Sequence, residues 1–138
     1  MSVHIHGQYL EEEVLHADPV KLTALLYRGG LEAVVAARRH LASGDIRERS
    51  RRLTQAYEIV FELWRSLDHE AGGEISARLA ELYLYIQQRL IEGNAQQSDA
   101  PLAEAEQLLT TLSDAWKAVP PGPTPAAEAE YTPLSCTF

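Results

Sequence analysis

A chain of 138 residues, 46% of them hydrophobic and with a formal charge of −8, is long enough to bury one core. It is too acidic for general nucleic-acid binding, whose affinity comes from cations that displace counterions from phosphates. No apolar run reaches the roughly 18 residues of a membrane span, and MSVHIHGQ at the start lacks a basic segment followed by an apolar one, so a cytoplasmic protein is expected.

Residues Met1 to Ala17 form an arm without a strong period. Tyr9, Leu10, Val14 and Leu15 nevertheless set an apolar side against Glu11-Glu12-Glu13. Asp18-Pro19 then marks a helix start, the carboxylate as N-cap and the proline where no amide donor is needed. Leu22, Leu25, Leu26, Gly29, Ala33, Ala36 and Ala37 recur at spacings of three and four, which makes a core stripe. Tyr27, Leu31, Val34 and Val35 lie off it, so this first helix carries a surplus of apolar surface.

Ser43-Gly44 ends the first helix, and Asp45 with Glu48 opens the second like a capping box. Leu53, Ala56, Tyr57, Val60, Trp64 and Leu67 carry its stripe to Asp68, widened by Ile59, Phe61 and Leu63. Gly72-Gly73 breaks the pattern as a structural reversal, and Glu74 begins a third helix with the stripe Ile75, Leu79, Leu82, Tyr83, Ile86 and Leu90. Ala80, Leu84, Tyr85 and Ile91 are again surplus. Gly93-Asn94 is expected to end it, and Ser98, Asp99 and Pro101 mark a fourth helix with Leu102, Ala105, Leu108, Leu109, Leu112, Ala115, Trp116 and Val119. Pro120-Pro121-Gly122-Pro123 stops helix formation, and a Pro/Ala-rich tail, expected to be disordered, runs to Phe138.

Four helices on short connections predict an all-α, antiparallel up-down four-helix bundle over 18–119, with an N-terminal arm over 1–17 and a flexible tail over 120–138. Little in the chain reads as chemistry. His4 and His6 lack further ligands nearby, while His16, His40 and His69 are scattered, so neither metal nor cofactor is expected. Adjacent glutamates at 11–13 point different ways on a helix and read as a solvated face. No nucleophile with a base and no phosphate-cradling loop appears, so no enzyme is expected. Cys136 stands alone and reads as an inert thiol. The basic cluster of Arg38, Arg39, His40, Arg47, Arg49, Arg51 and Arg52 could touch phosphates or an acidic protein, but a solvated turn paired with Asp45 and Glu48 is the favoured reading.

One chain of motifs runs through all four helices in order. It begins with Tyr9, Val14-Leu15, Ala17, Pro19, Leu22, Leu25-Leu26-Tyr27 and Gly29. It continues with Ser66-Leu67-Asp68, Glu70 and Gly72-Gly73-Glu74-Ile75, then Leu79, Leu82-Tyr83, Tyr85, Leu90, Asn94 and Ala115-Trp116. The combination resembles the FliS family of flagellin-specific export chaperones. It departs at Arg28, where the family commonly has aspartate, and in the tail after Val119, which lies outside the resemblance.

The resemblance implies a cytosolic bundle that binds the C-terminal segment of flagellin, prevents its premature polymerisation and aids its delivery to the flagellar type III export apparatus. A co-chaperone or an anti-sigma factor stands open as an additional partner. Tyr9, Leu10 and Val14 are then expected to cover the client groove, and Leu22, Leu25, Tyr27, Ile59, Leu63, Leu79, Tyr83 and Tyr85 to wall it. For Leu22, Leu25 and Leu79 a core role competes, whereas Tyr27 and Tyr85 are expected at the surface because their hydroxyls need a polar partner or water. The alternatives are an adaptor for another amphipathic helix and a regulator working through the basic turn.

Overall fold

Pro19 opens helix α1 (Pro19–Ser43), its fixed φ and missing amide hydrogen suiting a first turn. The computed structural model describes residues 19–118. The arm, Asp18, Val119 and the tail lie outside them. Within them α2 (Ile46–Arg65), α3 (His69–Gln96) and α4 (Asp99–Lys117) follow, with no strand among the described residues. Packing of α1 on α2 and α4, and of α3 on α2 and α4, closes the four into a ring, the up-down bundle that short connections demand.

Polar contacts across the helices set the register. The Trp116 indole at the end of α4 donates to the Val20 carbonyl at the start of α1, at 3.0 Å. At the other end of that pair, Arg38 grips Asp99 through Nε and Nη2, both at 2.8 Å, and Glu106 through Nη1 at 2.8 Å. Arg38 thereby holds the Asp99 carboxyl below its ordinary range.

Much of the second stripe of α1 turns inward. Of the supposed surplus, Tyr27 and Val34 are buried beside Leu25, Ala33, Ala36 and Ala37, and Leu31 and Val35 are half-buried. The reason is size: small residues at 29, 30, 33, 36 and 37 present little bulk, and a Cβ added at Gly29 or Gly30 would stand 3.3 or 3.4 Å from Ile59 methyl carbons of α2. A helix approached this closely buries a wider arc than one stripe.

The turns follow the expected capping logic with shifts of a few residues. Gly44 takes φ 77°, and the Asp45 carboxylate accepts from the Glu48 amide at 3.1 Å. Glu48's own carboxylate goes to Arg51 instead of closing the box. Helix α2 stops at Arg65, short of Asp68, because Asp68 caps α3, accepting from the Ala71 amide at 3.0 Å. The expected start at Glu74 is thus preceded by one turn, and Gly73 breaks the helix between them with φ 52° and ψ −125°, a conformation closed to most side chains. Buried Ser76 braces this kink by donating to the Asp68 carbonyl at 3.0 Å.

At its far end α3 does not stop at Gly93-Asn94. It continues to Gln96, and Gln97 takes the left-handed conformation at φ 51°. Gly93 serves packing instead: a Cβ there would overlap Leu102 of α4, with Leu102 Cγ 2.6 Å away.

Candidate functional site

Most large apolar side chains of the bundle are inside, so the ones left outside are informative. Tyr57 and Phe61 on α2 are 38% and 44% exposed, and Leu84 and Ile91 on α3 are 49% and 55% exposed. Four residues on a helix is about one turn and seven about two, so each pair shares a face. A cavity of about 350 Å³ between the two helices is lined by Leu53, Thr54 and Tyr57 from one side and Leu90, Ile91, Asn94 and Ala95 from the other. The antiparallel register that sets Ile91 beside Tyr57 carries Leu84 along α3 toward the level of Phe61 and Trp64. Those two rings stack with centroids 5.7 Å apart, and Gln87 Nε2 fastens the strip by donating to the Tyr57 carbonyl at 3.3 Å. The result is an apolar groove along α2 and α3.

Its head is fixed by an unusual cation. Arg49 is 4% exposed and donates from Nε to Asn94 Oδ1 at 2.8 Å and from Nη2 to the Asn94 carbonyl at 3.4 Å. Ser50 Oγ adds a bond to the same Oδ1 at 3.2 Å. The last turn of α3 has no basic residue of its own, so Arg49 supplies the positive charge that a helix C-terminus favours. Arg51 and Arg52 bond within α2, to Glu48 and Gln55. Of the cluster, Arg38 and Arg49 are the residues seen to tie one helix to another.

The expected site residues divide by position. Leu63, Tyr27 and Tyr83 are in the core, at 1%, 3% and 3% exposure, which corrects the surface placement of Tyr27. Its hydroxyl does have a polar partner, the Tyr83 hydroxyl 2.6 Å away, so the two satisfy each other across the bundle and need no water. Leu25 is buried, and Leu22, Ile59 and Leu79 are half-buried. Tyr85 is at the surface and donates to Glu104 at 2.7 Å; Arg89 meets the same carboxylate. Together they hold the Glu104 carboxyl low and pin α3 to α4. Tyr9, Leu10 and Val14 lie outside the described residues.

Tyr57 and Ile75, read as core, are exposed instead, Ile75 at 57%. Leu84, Tyr85 and Ile91 are exposed as their surplus apolar character suggested. Among the described residues no group of three or more His, Cys, Asp or Glu is placed to hold a metal, and no helix is long and apolar enough to cross a membrane.

The buried tyrosine pair makes stability depend on alkaline pH. Burial raises both phenols above their ordinary value of 10, so above about pH 10 the unfolded chain releases protons that the folded chain keeps. Stability is therefore intact below about pH 10 and falls as pH rises, by at most about 1.4 kcal/mol per pH unit for each phenol. Urea denaturation between about pH 9 and 11 should show this slope, and the Tyr27→Phe, Tyr83→Phe double variant should flatten it at little cost at neutral pH, since both partners are removed together.

The chain matches the model of the family described as "Flagellar protein FliS" over residues 2–123. Among curated proteins it is 36% identical over 113 residues to the flagellar secretion chaperone FliS of Salmonella typhimurium, covering 81% of this chain and 84% of that one. It is 34% identical to the flagellar secretion chaperone FliSB of Pseudomonas aeruginosa, covering 80% and 87%. The flagellar secretion chaperone FliS of Bacillus subtilis is 32% identical, with 79% and 80% covered.

Proposed function

The chain belongs to the flagellar protein FliS family, and from that premise we propose that it is a cytoplasmic flagellar export chaperone. In this reading it captures the C-terminal segment of newly made flagellin, keeps it from polymerising early and aids its delivery to the flagellar type III export apparatus. The observation that supports the reading best is the apolar groove of Tyr57, Phe61, Leu84 and Ile91. A client segment disordered before capture loses about 1–2 kcal/mol of backbone entropy for each residue it orders. Only a long apolar track can offset that loss, and an amphipathic helix laid into a groove between two helices is the usual solution.

Tyr9, Leu10 and Val14 are proposed to cover the groove until the client displaces them, with Leu79 and Tyr85 as contacts on α3 and Leu22, Leu25 and Ile59, on the α1 side, as contacts of a client that continues past the groove. Tyr27, Leu63 and Tyr83 would support the walls from beneath. The test is calorimetric titration of the full chain, and of the chain lacking residues 1–17, with the flagellin C-terminal segment and a scrambled control. Saturable binding with a strongly negative heat-capacity change is expected, because apolar surface is buried and the client folds. Binding no tighter than the scrambled control in both forms would overturn the reading in favour of an adaptor for a different helix.

A further inference from the structure

Charge is distributed unevenly around the α2–α3 groove. From Tyr57 and Phe61 on one helix to Leu84, Gln88 and Ile91 on the other, the exposed strip carries no ionic side chain. Most charges of the two helices are engaged elsewhere. Arg51 meets Glu48, Arg65 meets Glu62, Arg78 meets Glu74, and Arg89 meets Glu92 and Glu104. Arg49 and Arg52 bond to Asn94 and Gln55. Among the described residues, Arg47, Glu58, Glu70 and Glu81 of these helices have no such partner.

Two of these four border the strip, and both are acids. Glu58 precedes Phe61 by three residues and Glu81 precedes Leu84 by three, so each stands about 60° farther round its helix than the apolar side chain. Both are exposed. With Leu53 and Thr54 opposite Asn94 and Ala95, Arg47 falls beyond the end of α3, and Glu70 lies ahead of the Gly73 kink. The same register sets Glu58 and Glu81 on opposite rims, offset along the groove by about 10 Å.

A helix laid between two antiparallel helices turns its apolar stripe to the floor. The residues beside that stripe then face the rims, as e and g positions do in a coiled coil, and their charges set the choice of partner. Two unpaired carboxylates repel acidic flanks and meet basic ones.

We propose that Glu58 and Glu81 are specificity residues of the α2–α3 groove, selecting an amphipathic client helix whose uncharged stripe is flanked on both sides by Lys or Arg. The inference rests on the groove being the client site and adds the chemistry of the client's flanks.

The test is calorimetric titration of the full chain and its variants with the flagellin C-terminal segment, at about 50 and about 500 mM salt, where screening lengths differ roughly threefold. An exposed ion pair is worth a factor of about two to five. Glu58→Lys with Glu81→Lys turns two attractions into two repulsions, so affinity should fall roughly tenfold at low salt and by much less at high salt. Glu58→Gln with Glu81→Gln should lose about half as much on a logarithmic scale. Thermal denaturation should be unchanged, since both positions are exposed and without partners. Glu70→Lys with Asp114→Lys alters the net charge equally but away from the strip, and should leave affinity within about twofold.

Unchanged or tighter binding by the lysine pair, or an equal loss in the control pair, would overturn the proposal. The premise fails separately: a parent chain that binds no better than the scrambled control, or that is indifferent to Leu84→Glu with Ile91→Glu, removes the client from the groove and this inference with it.

Discussion

Replacing Leu84 and Ile91 together by glutamate is expected, on the proposed function, to weaken capture of the flagellin C-terminal segment by roughly a hundredfold, with the bundle as stable as before. About half of each side chain is already covered in the free protein, so a client can bury the remaining half. At 1.5–3 kcal/mol for a fully buried aliphatic side chain, this is roughly 1 kcal/mol for each residue. Two carboxylates facing an apolar client add a desolvation cost of similar size, and a total near 3 kcal/mol corresponds to about two decades in affinity. Stability should move by no more than about 0.5 kcal/mol, because both positions are exposed on a helix and glutamate is a good helix former. Calorimetric titration beside thermal denaturation checks both halves. Unchanged affinity would remove the client from this groove and send the search to the α1–α4 side.

How far this groove was legible in the sequence can be judged from its four residues. Leu84 and Ile91 are legible, because a helix whose core stripe is complete has no internal use for two further aliphatics on another face. Tyr57 and Phe61 are not. They fall at helical spacing beside Leu53, Ala56 and Val60, and periodicity cannot tell the edge of a stripe from its middle. What separates them is which flank of the stripe the neighbours cover: Ile59 meets the α1 glycines, whereas Tyr57 borders α3 with its outer face left open. Close packing of α1 on α2 inverts the reading of α1. Its surplus Tyr27 and Val34 are absorbed by the core, and the hydroxyl that argued for a surface position found its partner on the diagonal helix instead.

The bundle itself, its four helices and most of their caps follow from local signals, since Asp45, Asp68 and Gly44 act within a few residues of themselves. The shifted boundaries were set from afar. Asp68 can serve only one helix, and Gly93 is a helix interior because Leu102 occupies the space its side chain would need. The basic turn shows the same division. Its charge density is plain in the sequence, but that Arg38 clamps α4 and Arg49 closes the end of α3 depends on which helix ends the fold brings together.

Gly93→Ala is expected to cost about 1–3 kcal/mol or more, a large effect for one methyl group, since overpacking a tight core forces backbone or rotamer shifts. The added carbon would stand 2.6 Å from Leu102 Cγ and 3.2 Å from the Ser98 carbonyl oxygen. Leu102 is fully buried, so it has nowhere to turn. Leu102→Ala alone should also be costly, by about 2–5 kcal/mol, through the cavity it leaves. The two together should cost less than their sum, because the alanine methyl at 93 enters space that the shortened residue 102 vacates, and residues in direct contact are not additive. A double-mutant cycle by chemical denaturation reads this coupling. A strictly additive pair would mean that α3 and α4 move apart to accept the methyl, and that Gly93 does not set their separation.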